Sequence, residues 1–328
     1  MTESPLLQVD GLSMHFPVHG GVFYRQVATV HAVDGVSFNI AERQTLGLVG
    51  ESGCGKSTIG RSLLRLYEPT AGRIRFRNRD VLALSGGDLR SLRADMQMIF
   101  QDPFESLNPR HRVGDIIAEP FVIHHKGDAA CRGRRVRQLL DRVGLPADAA
   151  DKYPHEFSGG QRQRIGIARA IALEPRLIIC DEPVSALDVS IQSQILNLLL
   201  ELQTEMGIAY LFIAHDLAVV KHISHRVAVM YLGRIVEIAD SESIYRQPRH
   251  PYTQALIRAI PVADPMQRKP FIPLAGEVPS PMNPPPHCRF VERCPHAEEI
   301  CRAETPVLES IRGGDTSHLV ACHLADRN

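Results

Sequence analysis

The sequence has no charge imbalance, no long apolar run and no apolar leader. Lysine plus arginine and aspartate plus glutamate both number 37, so the chain carries no global positive field that would attract nucleic acid or anionic lipid. The longest apolar runs, such as residues 195–200 around Asn197, fall far short of the roughly 20 residues that span a membrane. Residues 1–5 lack the basic region and the apolar core of a signal peptide, so we expect a protein that is made and kept in the cytosol.

Cysteine is unevenly distributed along the chain. The 328 residues are enough for one large α/β domain with an appendage or for two modest domains, and they contain 7 cysteines. An odd number of cysteines without a signal peptide predicts reduced thiols. Four of them nevertheless crowd near the C-terminus: Cys288, Cys294, Cys301 and Cys322.

A gap-free match to the phosphate-loop pattern G-x-x-x-x-G-K-[ST] begins at Gly50. The apolar run 45–49 predicts a buried strand before it, and the helical spacing over 57–66 predicts a helix after it. Such a loop aims backbone N–H groups and the positive end of the helix at one point, which makes an anion site. Lys56 is expected to reach the outer phosphates, and the Ser57 hydroxyl is expected to bind Mg²⁺. The alternative is a chance glycine loop, which ordinary residue frequencies produce in about 1% of chains this long. The residues predicted to bind nucleotide are Gly50, Ser52, Gly53, Cys54, Gly55, Lys56, Ser57 and Thr58.

Apolar patterns predict further strands and helices along the chain. Helical spacing extends from 113 to about 173 and again over about 191–206. The proline-rich stretch 261–286 predicts an extended connector, because proline disrupts both helix and sheet. Strand patterns occur at 7–9, 36–40, 74–76, 98–100, 177–180, 209–214, 227–231 and 235–239.

Two of the predicted parallel strands end in residues suited to catalysis. Asp181 and Glu182 follow one of them, and His215 follows the other. Groups at the carboxyl ends of neighbouring parallel strands converge on one crevice, where such sheets bind ligands. Asp181 is then placed to hold Mg²⁺, and Glu182 to orient and deprotonate the attacking water. The alternatives are a solvated acidic turn and a structural histidine, and the phosphate loop in the same chain favours the catalytic interpretation.

A second predicted anion site lies at Phe157-Ser158-Gly159-Gly160-Gln161, just before a helical pattern over 163–173. This segment resembles the signature sequence of the ATP-binding cassette (ABC) ATPases. In that family the signature faces the nucleotide held by the partner in a dimer. The resemblance therefore implies that Ser158, Gly159, Gly160 and Gln161 contact ATP across a sandwich of two ATPase chains.

The same resemblance implies roles for four more residues. Gln101 resembles the Q-loop glutamine, which contacts Mg²⁺ or the water. The segment 185–188 resembles the D-loop, which adds Asp188 to the nucleotide-binding residues, and His215 resembles the switch histidine near the γ-phosphate. Phe16 stands where the family places an aromatic ring under adenine.

Two alternatives remain open for the aromatic position. Phe23 and Tyr24 are rivals for the adenine contact, and ordinary packing is as good an explanation for any one of the three. The implied fold is α/β, with an ABC-type phosphate-loop ATPase core, an antiparallel β subdomain, a helical subdomain and a small cysteine-containing C-terminal tail.

Several segments resemble the ATPase subunits of dipeptide and oligopeptide importers, most strongly the second ATPase subunit of dipeptide permeases. Nickel and other solute importers share much of this pattern. The resemblance implies an ATPase domain over 6–260 with a helical subdomain at about 102–172, and a connector with a four-cysteine region over 261–328. The segments are 100–103, 106–110, 182–188, 249–253, 279–281 and 283–288.

The four C-terminal cysteines predict a metal centre. None of them form the closely spaced C-x₂₋₄-C pairs of ordinary zinc sites, and disulfides are unstable in a reducing cytosol. Four thiolates on a small tail suit a [4Fe–4S] cluster, and Cys294-Pro295 is similar to the Cys-Pro that ends bacterial ferredoxin motifs. Some importer ATPases that resemble this tail are thought to hold such a cluster. Zinc and free buried cysteines are the alternatives.

The resemblance also implies partners and a location. The chain is expected to hydrolyse ATP for peptide import while paired with a second, paralogous ABC ATPase subunit and two integral membrane permease subunits. An extracytoplasmic peptide-binding protein acts through the permease, and no nucleic acid is involved. The expected location is peripheral, on the cytoplasmic side of the inner membrane. The alternatives are a nickel or other solute importer and a soluble non-transport ABC ATPase, whose usual second cassette or long coiled-coil insertion is missing here.

Overall fold

The computed structural model describes residues 4–20, 25–102, 106–260, 276, 279–310 and 317–325. Its helices are α1 (Lys56–Leu63), α2 (Gly86–Asp95), α3 (Val113–Ile123), α4 (Ala129–Arg142), α5 (Gly159–Ile171), α6 (Val189–Met206), α7 (Leu217–Ile223), α8 (Ser241–Arg246), α9 (Pro251–Arg258) and α10 (Glu299–Ala303). Its strands are β1 (Leu7–Gly20), β2 (Arg25–Ile40), β3 (Thr45–Val49), β4 (Ala71–Phe76), β5 (Arg79–Asp80), β6 (Met96–Ile99), β7 (Leu177–Asp181), β8 (Ala209–Ala214), β9 (Arg226–Tyr231), β10 (Arg234–Asp240), β11 (Glu309–Ser310) and β12 (Leu319–Val320).

The chain forms two compact units, each built from separated segments. The first unit comprises Met1–Leu6, Ile40–Thr45 and Val81–Ile213, and the second comprises Leu7–Asn39, Leu46–Asp80 and Ala214–Asn328. The predicted boundary at residue 260 stays a prediction. The α/β class predicted from the sequence is observed. Among the described residues, no helix combines the length and the apolarity that a membrane crossing requires.

The first unit is built on three parallel strands, β6, β7 and β8. Strand β7 lies between the other two, with Met96 opposite Leu177 on one side and Leu177 opposite Ala209 on the other. Every residue of β7 and β8 is buried, which explains their near-continuous apolar sequences. The chain that follows β7 therefore begins at the carboxyl end of a buried central strand.

Helices α2 to α6 complete the first unit. The helical pattern that the sequence shows from 113 to about 173 is interrupted, because Gly144 takes a left-handed φ of 73° after α4 and ends that helix. Helix α6 begins where the Asp188 carboxylate accepts a hydrogen bond from the Ile191 N–H at 3.0 Å, and it ends at Gly207, which has a φ of 67°.

The second unit holds two sheets. In the antiparallel one the strand order is β2-β1-β4-β5. In the other, β3 pairs in parallel with β9, which pairs antiparallel with β10. Strands β1 and β2 are longer than the alternation over 7–9 and 36–40 predicts. In β2, residues 25–32 are exposed or half-buried, so no buried face marks this part of the strand in the sequence.

The C-terminal tail belongs to the second sheet. Strand β12 pairs antiparallel with β10 and with β11. The fully buried carboxylate of Glu237 on β10 accepts hydrogen bonds from the Arg249 and His250 N–H groups at 2.7 and 2.9 Å and from His318 Nε2 at 2.7 Å. One buried carboxylate thus holds both the start of α9 and the tail.

His250 makes the stability of this unit depend on pH. Burial lowers the pKa of its imidazole to about 4, against the opposing charge of Glu237. An unfolded histidine titrates near 6.5, so the contribution of neutral His250 is complete above about pH 6.5 and is lost as the pH falls towards 4. His250 Nδ1 accepts the Tyr252 N–H at 3.1 Å, a role that asparagine can fill without titrating.

We therefore expect the unfolding free energy of the parent to fall between pH 7.5 and 5 by about 2 kcal/mol more than that of His250→Asn. Urea denaturation at both pH values measures this difference. Equal falls in the two proteins would contradict the neutral buried imidazole.

Candidate functional site

The phosphate loop of the second unit connects β3 to α1 and is shaped by glycines. A Cβ at Gly50 would lie 2.2 Å from the Met230 carbonyl oxygen. Gly55 has a φ of 106°, and a Cβ there would lie 1.9 Å from the Ala32 carbonyl oxygen. Only glycine fits these two positions, so the pattern read from the sequence reflects real backbone crowding.

The side chain of Lys56 lies inside the loop. Its buried ammonium donates to the carbonyl oxygens of Gly50 at 2.7 Å and Glu51 at 3.0 Å. Burial raises the pKa of the neighbouring Cys54 thiol. Ser52 and Gly53 are exposed at the loop tip, whereas Ser57 and Thr58 are half-buried at the start of α1. The loop therefore combines a cation with accessible backbone, as an anion site requires.

One of the three aromatic candidates for adenine can be placed. Phe16 is half-buried on β1 and makes an edge contact with Tyr67, with ring centroids 5.5 Å apart. Phe23 and Tyr24 lie outside the described residues.

The second unit also contains a histidine–aspartate cluster that sequence reasoning missed. The possible ligand atoms of His15, His31 and Asp34 lie within 4.8 Å of one another. Arg234 donates to Asp34 Oδ2 at 3.2 and 2.9 Å, and Arg289 donates to the same oxygen. Burial opposes ionisation of Asp34, but the Arg234 hydrogen bond and the two guanidinium charges outweigh it, so its pKa is lowered. Two cations on one carboxylate disfavour a metal ion, and we interpret the cluster as an ionic anchor.

In the first unit, the carboxylate predicted as the base lies directly after β7. Glu182 adopts a left-handed φ of 46°, and its N–H donates to the Ile213 carbonyl oxygen at 3.0 Å. A glutamate rarely takes this conformation, and such strain is common at functional positions. Asp181, the last residue of β7, is buried.

The structure brings two of the predicted catalytic residues together. Gln101 Nε2 donates to Glu182 Oε2 at 3.1 Å. Both side chains retain contact with solvent. A carboxylate held by an amide at a solvent-accessible edge can accept a proton from water.

The predicted signature segment begins α5. Ser158 Oγ accepts the Gln161 N–H at 3.4 Å, and Gln161 Oε1 accepts the Ser158 N–H at 3.0 Å, forming a capping box. A Cβ at Gly160 would lie 2.5 Å from Ile191 Cγ2, so glycine is needed where α5 meets α6, and Gly159 is less crowded. Ser158 and Gln161 are exposed. The segment thus presents a helix N-terminus to solvent.

The remaining predicted residues occupy less informative positions. Asp188 is exposed and caps α6, so its carboxylate already has a structural role. His215 is exposed between β8 and α7. Contacts of either residue with nucleotide stay predictions.

Burial favours the neutral form of three of the C-terminal cysteines. It raises the pKa of Cys288 to about 11, and it also raises the pKa values of Cys294 and Cys322. The Cys288 N–H donates to the Cys301 carbonyl oxygen at 3.2 Å, and the Leu324 N–H donates to Cys322 Sγ at 3.4 Å.

Two family models match the chain. The model described as ABC transporter matches residues 33–185, and the model described as oligopeptide/dipeptide transporter, C-terminal region, matches residues 236–301. The first match contains the phosphate loop, the signature segment and the strand β7 with Glu182. The second contains α9 and most of the four-cysteine region.

Curated proteins resemble the chain over nearly its whole length. The oligopeptide transport ATP-binding protein AppF of Bacillus subtilis is 53% identical, over 98% of this chain and 98% of AppF. The probable peptide ABC transporter ATP-binding protein y4tS of Sinorhizobium fredii is 54% identical, over 97% of this chain and 90% of y4tS. The putative oligopeptide transport ATP-binding protein YkfD of Bacillus subtilis is 52% identical, over 99% and 97%.

Solved structures share the fold. CbiO1 of Clostridium perfringens, described as part of the ABC transporter complex cbiONQ, matches with a TM-score of 0.63 and 28% identity over 75% of this chain and 92% of its own. The ATP-binding cassette MJ0796, in a dimeric post-hydrolysis state with ADP and phosphate, matches with a TM-score of 0.64 and 26% identity over 72% and 98%.

These comparisons correct one prediction. The expected [4Fe–4S] cluster on Cys288, Cys294, Cys301 and Cys322 is wrong: the matching relatives are ordinary ABC ATP-binding proteins, and neither matching family model describes an iron–sulfur protein. The zinc alternative receives no support from them either. The physical reason for the error is that closeness in sequence does not fix the distances between side chains: among the described residues, the possible metal ligands that lie within 4.8 Å of one another are His15, His31 and Asp34, and the four cysteines form no such group.

Proposed function

The chain belongs to the ABC transporter ATP-binding proteins, and from this premise we propose that it powers the import of dipeptides or oligopeptides. It is an ATPase that binds ATP with Mg²⁺. The observation that carries the peptide assignment is the full-length similarity to peptide-transport relatives together with the match over residues 236–301. Nickel or other solutes are the second candidate class.

In the proposed mechanism, the residues of the phosphate loop bind the triphosphate. The Lys56 ammonium and the loop N–H groups neutralise and orient the phosphates, and Phe16 stacks on adenine. The oxygen donors of Ser57, Gln101 and Asp181 are the kind that Mg²⁺ prefers. When bound, Mg²⁺ neutralises the charge that develops on the phosphates.

Glu182 acts as the general base in this mechanism. Its carboxylate takes the proton of the attacking water, and Gln101, which donates to Glu182 Oε2, holds that carboxylate in place. His215 contacts the γ-phosphate, and this contact is made only while the γ-phosphate is present.

We further propose that hydrolysis takes place in a dimer. Ser158, Gly159, Gly160, Gln161 and Asp188 of one chain would complete the nucleotide site of its partner. The exposure of the N-terminus of α5 at Ser158 supports this arrangement, because a solvent-facing helix N-terminus can receive phosphate from another chain. The related cassette MJ0796 is dimeric.

The proposed partners are a second, paralogous ATPase chain, two integral membrane subunits and an extracytoplasmic peptide-binding protein. The chain would then lie peripherally on the cytoplasmic side of the inner membrane, with residues 102–172 against the membrane subunits. Nucleic acid is not among the proposed partners.

The test uses the full chain purified from its own membranes in mild detergent. We expect two integral membrane proteins and a second ATPase to copurify, and the reconstituted complex to accumulate labelled dipeptide only with hydrolysable ATP. Lys56→Ala is the inactive control. Uptake of labelled Ni²⁺ without uptake of peptide would favour the second candidate, and copurification of soluble proteins alone would contradict import.

A further inference from the structure

Glu51 occupies a position that the phosphate-loop pattern leaves unspecified, yet the side chains of three residues form hydrogen bonds with it. Its N–H donates to Tyr252 Oη at 3.0 Å, and its carbonyl oxygen accepts from Lys56 Nζ at 3.0 Å. Its carboxylate accepts two hydrogen bonds from Arg293, at 2.8 and 3.0 Å. Every polar group of this loop residue is therefore fixed.

Arg293 comes from the C-terminal tail, 242 residues further along the chain. The Arg293 side chain is 7% exposed and that of Glu51 is 26% exposed. The guanidinium carbon also lies 5.8 Å from the centroid of the Tyr231 ring. A two-point contact in such a setting is stronger and more directional than a surface ion pair.

The tail around Arg293 is anchored firmly in the same unit. Phe290 is buried, with its ring centroid 5.2 Å from Tyr231 and 5.5 Å from Tyr252. Arg289 donates to the Leu232 carbonyl oxygen and to Asp34. The guanidinium of Arg293 is thus presented to Glu51 by a rigid support.

The charge of Glu51 has a direct consequence for nucleotide binding. An ionised carboxylate on the second residue of a phosphate-binding loop repels a triphosphate unless a cation neutralises it. Among the described residues, Arg293 is the cation that forms a side-chain ion pair with Glu51. Removal of Arg293 leaves that carboxylate without this cation.

We infer that Arg293 is a positioning residue for the nucleotide site: it neutralises and fixes Glu51, and through it the C-terminal tail sets the affinity of the phosphate loop for nucleotide. This inference rests on the proposed role of residues 50–58. It assigns to the tail a function in nucleotide binding, in addition to its pairing with β10.

The experiment compares variants of the full chain by equilibrium binding of MgATP and MgADP. Arg293→Gln keeps much of the side-chain volume but loses the charge. Arg293→Lys keeps the charge, and the double variant Arg293→Gln with Glu51→Gln removes both charges. The matched control is Arg302→Gln, because Arg302 is another tail arginine that pairs at 2.6 Å with Glu292, but both side chains are more than half exposed.

We expect Arg293→Gln to weaken MgATP binding about tenfold, which corresponds to about 1.4 kcal/mol, and to weaken MgADP binding less, because ADP carries less negative charge. The double variant should regain MgATP affinity to within about threefold of the parent. Arg293→Lys should also stay within about threefold, and Arg302→Gln should match the parent in affinity and in Tm.

Two results would overturn the inference. One is MgATP affinity within about twofold of the parent in Arg293→Gln. The other is a double variant that remains as weak as the single one, since the effect would then come from the fold and not from the Glu51 charge. If Arg293→Gln does not fold, a tenfold loss of MgATP affinity in folded Arg293→Lys would also overturn the inference. Lys56→Ala separates the two claims: if it leaves ATP binding intact, the proposed site itself is wrong.

Discussion

Replacing Glu182 with glutamine is expected to lower ATP turnover by a factor of roughly 10²–10⁴ while ATP binding persists. Glutamine keeps the size of the side chain and can still accept the hydrogen bond that Gln101 donates to Glu182 at 3.1 Å. It cannot take a proton from the attacking water. The closed, ATP-bound dimer should therefore accumulate. Steady-state phosphate release and ATP-dependent dimerisation measure the two effects.

Glu174→Gln is the matched control for this prediction. Glu174 also lies in the first unit, is exposed and has a positive φ of 55°, so the substitution tests the same chemical change on a similar backbone. We expect its turnover to equal that of the parent. Turnover within about threefold of the parent in Glu182→Gln would place the base on another residue.

The features that the sequence predicts well appear as short patterns of neighbouring residues. Glycine is required at positions 50 and 55 because a Cβ there would clash with the carbonyl oxygens of Met230 and Ala32. The apolar runs of β7 and β8 reflect burial on both faces. A spacing pattern records these constraints because the constrained residues lie close together in sequence, even though the oxygens that crowd them belong to distant segments.

The features that the sequence does not predict depend on contacts between distant segments. The local sequence around Glu51 does not predict its contact with Arg293, and the local sequence around Glu237 does not predict its contact with His318. In the sequence, the members of such pairs cannot be distinguished from ordinary solvent-exposed charged residues. The C-terminal tail is a case of this kind. Its cysteines stand out in the sequence, whereas the contact of Arg293 with the phosphate loop can be seen only in the structure.

The strain at Glu182 is a further example. Its φ of 46° arises after β7, where its N–H bonds to the Ile213 carbonyl oxygen of the neighbouring strand's end. A glutamate in the sequence does not predict a left-handed backbone, so this conformation is visible only in the structure.

Ser158→Arg is expected to abolish ATP-driven dimer closure and the hydrolysis that depends on it. Ser158 is exposed at the start of α5, where its Oγ accepts the Gln161 N–H at 3.4 Å. Arginine removes this cap and places a long cation where the γ-phosphate of the partner's nucleotide is proposed to lie. Binding of ATP to the Lys56 loop should persist, because that loop belongs to the other unit.

Asp128→Arg separates the loss of a helix cap from the loss of a shared site. Asp128 is also exposed in the first unit, and its carboxylate accepts the Cys131 N–H at 2.8 Å at the start of α4. Each substitution should cost about 1 kcal/mol of stability through the lost cap. Only Ser158→Arg should prevent dimerisation, measured by light scattering with ATP in the Glu182→Gln background. Closure at the parental level in Ser158→Arg would contradict a nucleotide site shared between two chains, whereas loss of closure in both variants would trace the effect to helix stability instead.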